Sequence, residues 1–300
     1  MQRVRELIAG NIPEELDGRG ITIAVLDSGI GSHPDLSGKA ICFHDFIRYK
    51  NMPYDDNGHG THVCGILCGN GGLSGGRFRG VAPGARLAVG KVLDDMGDGS
   101  TEAMLEGMEW VLGIREKYAV RILNISVGIG TLEKAERESA LRRKVEEIWA
   151  SGILVVCAAG NKGPRSGSIS AVGSGGAVTV GCHDGRYGAD NPGRCESYSG
   201  RGILGSSVRK PDLVAPGTDI VSCNANYHRI GGMFRNAYIA KSGTSMATPI
   251  VSGAAALVLQ KYPAMTNEQC RRMLQYTATD LGLPWNQQGW GMLNVERLLE

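Results

Sequence analysis

The 300-residue chain lacks a charge imbalance. Its 32 Lys and Arg against 30 Asp and Glu leave a formal net charge of +2, which provides no electrostatic footprint for nucleic acid or for an anionic membrane surface. It also lacks a G-X-Y period, so its 45 glycines, about twice ordinary usage, serve turns and close backbone approaches rather than a fibre. No C-x-x-C pair occurs among the eight cysteines at 42, 64, 68, 157, 182, 195, 223 and 270. In a chain of this size they read as reduced thiols of a cytosolic protein. The opening MQRVRELIAGNIPEEL is charged at positions 3, 5, 6, 14 and 15 and has no continuous apolar stretch, which argues against a secretory signal. A cytoplasmic location is therefore expected, with export by another route left open. Neither G-x-x-x-x-G-K-[ST] nor a strand-linked G-x-G-x-x-G with a following acid is present, which argues against a nucleotide-binding protein. One run, Ser242 to Gln260, is uncharged for 19 positions, near the length of a membrane span. Its Ser and Thr residues and Pro249 point instead to a buried helix, so no membrane span is expected.

What the chain does have is alternation. Apolar β-branched runs predict strands near Ile21 to Leu26, Arg86 to Val92, Arg121 to Ser126, Ile153 to Ala158, Val178 to Gly181 and Asp219 to Ser222. Between them, helical spacing is present over Thr101 to Lys117, through Met104, Met108, Val111 and Leu112, and over Glu133 to Ala150, which Gly152 stops. Thr266 and Gln269 form a capping-box start for a helix through Gln275. This order predicts an α/β fold of three layers, α/β/α, around a mainly parallel central sheet. No linker, repeat or composition shift divides it, so one domain over residues 1–300 is expected, with 1–18 as a short helical lead-in. Oligomeric state is left open.

In such sheets ligands gather beyond the carboxyl ends of the strands, and three reactive residue types fall at such places. Asp27 follows the strand ITIAVL. His59 lies in DDNGHGTHVCGI, between glycines that permit close backbone approach. Ser245 opens the run SGTSMATP, where a helix N-terminus presents a hydroxyl and a backbone N–H together; Pro249 is placed in the first turn of that helix. Each alone has a plain structural reading as a turn, cap or satisfied histidine. His59, His62, Cys64 and Cys68 also raise a zinc site, but so short a stretch of a single helix cannot wrap four ligands around an ion, and no metal is expected there. Together, a weak alcohol nucleophile, a base and an acid that holds the base's tautomer make a working set for acyl transfer. Asn161, after the strand ILVVCAAG, offers an amide to a developing oxyanion.

These residues carry a resemblance to the subtilisin-like serine proteases, including the order Asp…His…Ser in which that triad runs along the chain. The matching segments are IAVLDSGI, HPDL at 33–36, DDNGHGTHVCGI, GVAPGA at 80–85, NISVG at 124–128, AAGNKG, VAPG at 214–217, SGTSMATP, TATDLG and QGWGMLNV. The resemblance implies Ser245 as nucleophile, His59 as general base and acid, Asp27 as the orienting carboxylate, and Asn161 with the Ser245 N–H as the oxyanion hole. It implies a peptide substrate bound as an added strand between Ser126-Val127-Gly128 and Gly99-Ser100-Thr101, with Gly173 at the bottom of the pocket for the residue before the cut. The activity expected is that of a serine endopeptidase, with a maturation protease for one peptide as an alternative and a non-catalytic peptide binder as a remote one.

Secreted relatives carry a signal and a folded prodomain, and neither fits before the first strand, so the intracellular branch is expected. No cofactor is required for the chemistry. The loop GNGGLSGGRFRG at 69–80 stands where those relatives have a calcium loop, and its basic, oxygen-poor side chains are poor ligands for a hard cation; structural calcium is left open but not indicated. Asp94, Asp95 and Asp98 crowd one wall of the cleft, either as a solvated acidic turn or as a wall that favours basic side chains two to four positions before the cut. Cys64 is expected to be a small buried filler.

Overall fold

The computed structural model describes residues 1–9, 12–127, 135–185 and 194–300. In chain order, α1 (Gln2–Ile8) leads into β1 (Thr22–Asp27), β2 (Ala40–Asp45), α2 (His59–Cys68), β3 (Arg86–Lys91) and α3 (Thr101–Tyr118). Next come β4 (Val120–Ile125), α4 (Ala135–Ala150), β5 (Leu154–Ala158), β6 (Val178–Cys182) and β7 (Leu213–Ala215). The chain ends with β8 (Ile220–Cys223), β9 (His228–Ile230), β10 (Met233–Arg235), β11 (Tyr238–Lys241), α5 (Thr244–Lys261), α6 (Asn267–Tyr276), α7 (Trp285–Gln288) and α8 (Val295–Leu299).

Seven strands form one sheet in the order β2-β3-β1-β4-β5-β6-β7, and every neighbouring pair is parallel. All six residues of β1 are buried, because side chains alternate between faces and both faces are covered. Ile23 and Val25 join the core built with α2 and α5. Ala24 and Leu26 join the core built with α3 and α4. The three-layer α/β/α reading therefore describes the architecture. Strand order reverses at β1, with β3 on one side and β4 on the other. That is where an open parallel sheet leaves a crevice at its carboxyl edge.

The helical stops and starts follow local chemistry. Gly152, at φ 92, ends α4; the expected start of α4 at Glu133 lies outside the described residues. Both bonds of the capping box are made, Gln269 N–H to Thr266 Oγ1 at 3.2 Å and Thr266 N–H to Gln269 Oε1 at 2.9 Å. The uncharged run becomes α5, whose residues Met246 to Leu259 are all buried against the sheet. Among the described residues no helix is long and apolar enough to cross a membrane.

Several features differ from expectation. The strand expected at Asp219 to Ser222 is β8, and it pairs antiparallel with β11 in a separate ribbon rather than in the central sheet. Edge strand β2 has mostly half-buried residues and so carries no strong apolar signal. Pro249 sits inside α5, beyond its first turn. The missing N–H leaves the Ser245 carbonyl without its usual helical donor, while Thr248 Oγ1 donates to the Thr244 carbonyl at 2.8 Å. The thiol reading also needs correction at two positions, because Cys182 and Cys195 form a disulfide with Cα atoms 5.8 Å apart. The segment after Cys195 is held to the end of β6 by the Cys182 N–H, which donates to Ser199 Oγ at 3.0 Å. No spacing in the sequence encodes that return. The other six cysteines are free, five of them buried.

Candidate active site

Asp27 ends β1 and is fully buried. Its Oδ1 accepts the Ser28 N–H at 2.8 Å and His59 Nδ1 at 2.7 Å. A carboxylate at Nδ1 fixes that nitrogen as the donor and leaves Nε2 with its lone pair facing away from Asp27. His59 opens α2 immediately after Gly58, which takes φ 89, a left-handed conformation suited to glycine. At the next position a Cβ would collide with the Gly29 carbonyl oxygen. Instead the Gly60 N–H reaches Ser28 Oγ at 2.9 Å, which holds α2 against the end of β1. Burial pulls the His59 pKa down, but the charge and hydrogen bond of Asp27 outweigh it, with Asp55 assisting and Lys241 opposing, so the net shift is upward.

Asp55 ties the turn before α2 together. Its Oδ1 accepts Ser28 Oγ–H at 2.9 Å and the Gly58 N–H at 2.8 Å, and its Oδ2 accepts the Thr61 N–H at 2.8 Å. Burial works against its ionisation, yet these donors hold its pKa below the ordinary value. Lys91, opposite Asp27 in β3, is fully buried. Its ammonium donates to the Ser28 carbonyl at 2.8 Å, the Leu93 carbonyl at 2.7 Å and Asp56 Oδ1 at 2.7 Å. Sequence reasoning missed Lys91; the signal was a lysine directly after the uncharged run Leu87 to Gly90.

Ser245 is the second residue of α5. Among the N–H groups of that first turn, Thr244 donates to Asn161 Oδ1 at 3.1 Å, and Met246 and Ala247 donate to the Gly243 carbonyl at 3.0 and 3.4 Å. The Ser245 N–H has no partner among the described residues. Thr244 Oγ1 adds a second bond to Asn161 Oδ1 at 3.0 Å. With the oxygen of Asn161 held, its Nδ2 is left as the outward donor. Another unforeseen support is Asn124 on β4, whose Nδ2 donates to Ser126 Oγ at 2.9 Å while its Oδ1 accepts Ser252 Oγ–H from α5 at 2.8 Å.

His59 and Ser245 line one cleft of about 360 Å³ with Asp98, Gly99, Ser126 and Val127. Of the expected wall at 99–101 only Gly99 borders it. Ser100 Oγ instead caps α3, accepting the Ala103 N–H at 3.0 Å, and Thr101 is buried. Gly173 packs against Thr179 and the Ala158 carbonyl, away from the cleft lining. Gly128 lies outside the described residues. In the acidic stretch, Asp94 Oδ1 accepts the Met96 and Asp98 N–H groups, both at 2.9 Å, and Asp95 pairs with Arg48 at 3.1 Å. Asp98 alone of the three borders the cleft.

The rejected zinc grouping does not assemble. His59 faces Asp27, whereas His62 Nε2 meets the Ile220 and Ile239 carbonyls at 2.9 and 3.1 Å. Burial first, and the charge of Lys241 second, push His62 down to about 3. Cys64 is fully buried and its thiol pKa is driven well up by burial. In the loop at 69–80 three oxygens have partners within the protein. Its Gly76 carbonyl accepts from the Arg5 guanidinium at 3.1 Å, and its Arg79 carbonyl at 2.5 Å. Asn70 Oδ1 is taken by the Gly72 N–H at 2.7 Å. The Arg5 guanidinium thus takes two of the loop's carbonyl oxygens.

Residues 18–291 match the model of the subtilase family, peptidase S8. The serine protease AprX of Bacillus subtilis (strain 168) is 39% identical over 299 residues, covering 94% of this chain and 67% of that one. Subtilisin Savinase of Lederbergia lenta is 36% identical over 281 residues, covering 94% of this chain and 91% of its own. Among solved structures, Sphericase superposes with a TM-score of 0.81 at 30% identity, covering 98% of this chain and 97% of that chain. The chain therefore belongs to the subtilase family and is a subtilisin-like serine endopeptidase.

Proposed function

We propose that Asp27, His59 and Ser245 carry the peptide-bond hydrolysis, with Asn161 and the Ser245 N–H as oxyanion donors. Ser245 Oγ attacks the scissile carbonyl while His59 Nε2 takes its proton. The resulting imidazolium is stabilised by the buried Asp27 carboxylate. The carbonyl oxygen, now an anion, receives hydrogen bonds from Asn161 Nδ2 and the Ser245 N–H, in the positive end of the α5 dipole. His59 returns the proton to the leaving amine as the C–N bond breaks. Water then repeats the attack on the acyl-enzyme with His59 as base, releasing the carboxylic acid product and restoring the Ser245 hydroxyl. No cofactor enters any of these steps.

The substrate is a peptide or protein segment, lying as an added strand with the residues before the cut along Ser126-Val127 and Gly99. Asp98 would favour a basic side chain among those residues, since it is the acid of its stretch that borders the cleft. The observation that carries the reading is the 2.7 Å bond between Asp27 and His59, on a cleft that His59 and Ser245 share. The test is labelling by a serine-directed fluorophosphonate. Wild type is expected to be labelled and Ser245→Ala not; equal labelling of both would refute the assignment of the nucleophile.

A further inference from the structure

The Cys182–Cys195 disulfide packs behind the start of α5. Cys182 ends β6 and stands in register with Ala215, the last residue of β7. Cys195 donates its N–H to Thr218 Oγ1 at 3.0 Å. The bonded pair thus holds the segment from Ala215 to Thr218 on one side, and its sulfurs press on the middle of that segment. A Cβ at Gly217 would collide with Cys182 Sγ and with the Gly243 carbonyl oxygen, and would stand 3.3 Å from Cys195 Sγ. On the other side the Gly217 carbonyl accepts the Gly243 N–H at 2.9 Å, and Ser242 Oγ accepts the Asp219 N–H at 2.9 Å.

Gly243 is the residue on which α5 starts. It takes φ 140, its carbonyl accepts the Met246 and Ala247 N–H groups, and a Cβ there would stand 3.1 Å from Asn161 Nδ2. The path from the sulfurs to Asn161 and the Ser245 N–H therefore runs through Gly217 and Gly243, with no side chain at either to absorb a displacement. Two thiols need more room than one disulfide, because non-bonded sulfurs cannot approach as closely as bonded ones. Both cysteines are buried, and in a close-packed interior added volume moves the neighbours.

We propose that Cys182 and Cys195 form a redox modification site for a dithiol reductant, and that the disulfide form is the fully active one. The inference rests on the proposed function, which puts the oxyanion donors at Asn161 and the Ser245 N–H. One thiolate of the reductant attacks a sulfur of the pair, the S–S bond breaks and a mixed disulfide forms. The second thiol of the reductant then displaces the remaining protein sulfur. Two electrons and two protons end on Cys182 and Cys195 as two thiols, and the reductant leaves as a disulfide. All eight cysteines are among the described residues and the other six are free, so a dithiol has this one bond to reduce. The two cysteines act as positioning residues: their separation on reduction displaces Gly217, and with it Gly243 and the oxyanion donors. A misplacement of about 1 Å at a site of this kind costs about 10²-fold in rate.

The test is peptide hydrolysis by the wild type in buffers of reduced and of oxidised dithiothreitol, with alkylation and mass spectrometry reporting the state of Cys182 and Cys195. Reduction of the pair should lower kcat by about 10- to 100-fold with little change in KM, and reoxidation should restore it. Cys182→Ala/Cys195→Ala, which lacks both sulfurs, should keep one kcat in the two buffers. A kcat that is unchanged when the pair is reduced, a pair that does not exchange between the two buffers, or an equal loss in the double variant would each overturn the inference. So would a reduced Ser245→Ala protein without a cooperative thermal transition, because activity would then be lost with the fold and not by displacement at α5. Hydrolysis that survives in Ser245→Ala would instead overturn the assignment of the nucleophile, and this inference with it.

Discussion

Replacing Lys91 by Met tests whether a buried cation holds the floor of the active site. The side chains are similar in length, so Met can fill the volume of the lysine stem, and the perturbation is chiefly the loss of three hydrogen bonds from an ammonium that is 0% exposed. Bonds to a charged group contribute about 1.5–3 kcal/mol each, and the several kcal/mol needed to desolvate the ammonium offset much of their sum. Met removes both terms but leaves the Ser28 and Leu93 carbonyls without this donor, at about 1–3 kcal/mol each for a buried group. Asp56 suffers less, because its side chain is 25% exposed and Arg48 stands 3.7 Å away. The expected net loss is about 2–4 kcal/mol. Urea unfolding of Lys91→Met in a Ser245→Ala background, where self-cleavage is prevented, should show a lower midpoint at an unchanged slope. In the active background kcat should fall as well, because the Leu93 and Ser28 segments flank His59 and Asp27. A stability loss below about 1 kcal/mol, with wild-type kcat, would refute the reasoning.

Other expectations follow from the same geometry. Asn161→Ala should lower kcat by about 10²- to 10³-fold with little change in KM; a wild-type kcat would remove Asn161 from the oxyanion hole. Because Asp27 raises the pKa of His59 and the base must be neutral to accept a proton, activity should fall as pH drops through a value above that of ordinary imidazole. A kcat/KM profile whose acidic limb lies below the ordinary value would contradict this. Arg5→Ala should lower the thermal midpoint, since its guanidinium joins α1 to the Gly76 and Arg79 carbonyls. A wild-type midpoint in Arg5→Ala would refute the stabilising role of that tie.

Where a residue's role follows from its neighbours in the chain, the sequence was sufficient. The apolar run before Asp27 could only be a strand buried on both faces, and Thr266 with Gln269 marked a helix start through bonds that span three residues. The glycines around His59 and the small residues around Ser245 placed both at helix openings, because local backbone geometry demanded them. The resemblance also pointed to Ser100 and Thr101, of which the first caps α3 and the second is buried. Tertiary structure alone decided the contacts between distant segments. It brought Lys91 opposite Asp27, locked Asn161 through Thr244, joined Cys182 to Cys195, and paired Asp95 with Arg48 while Asp94 closed its own turn and Asp98 reached the cleft. The physical reason is that propensity, capping and alternation act over a few residues, whereas the partner of a buried charge or thiol is set by how strands from remote parts of the chain come into register.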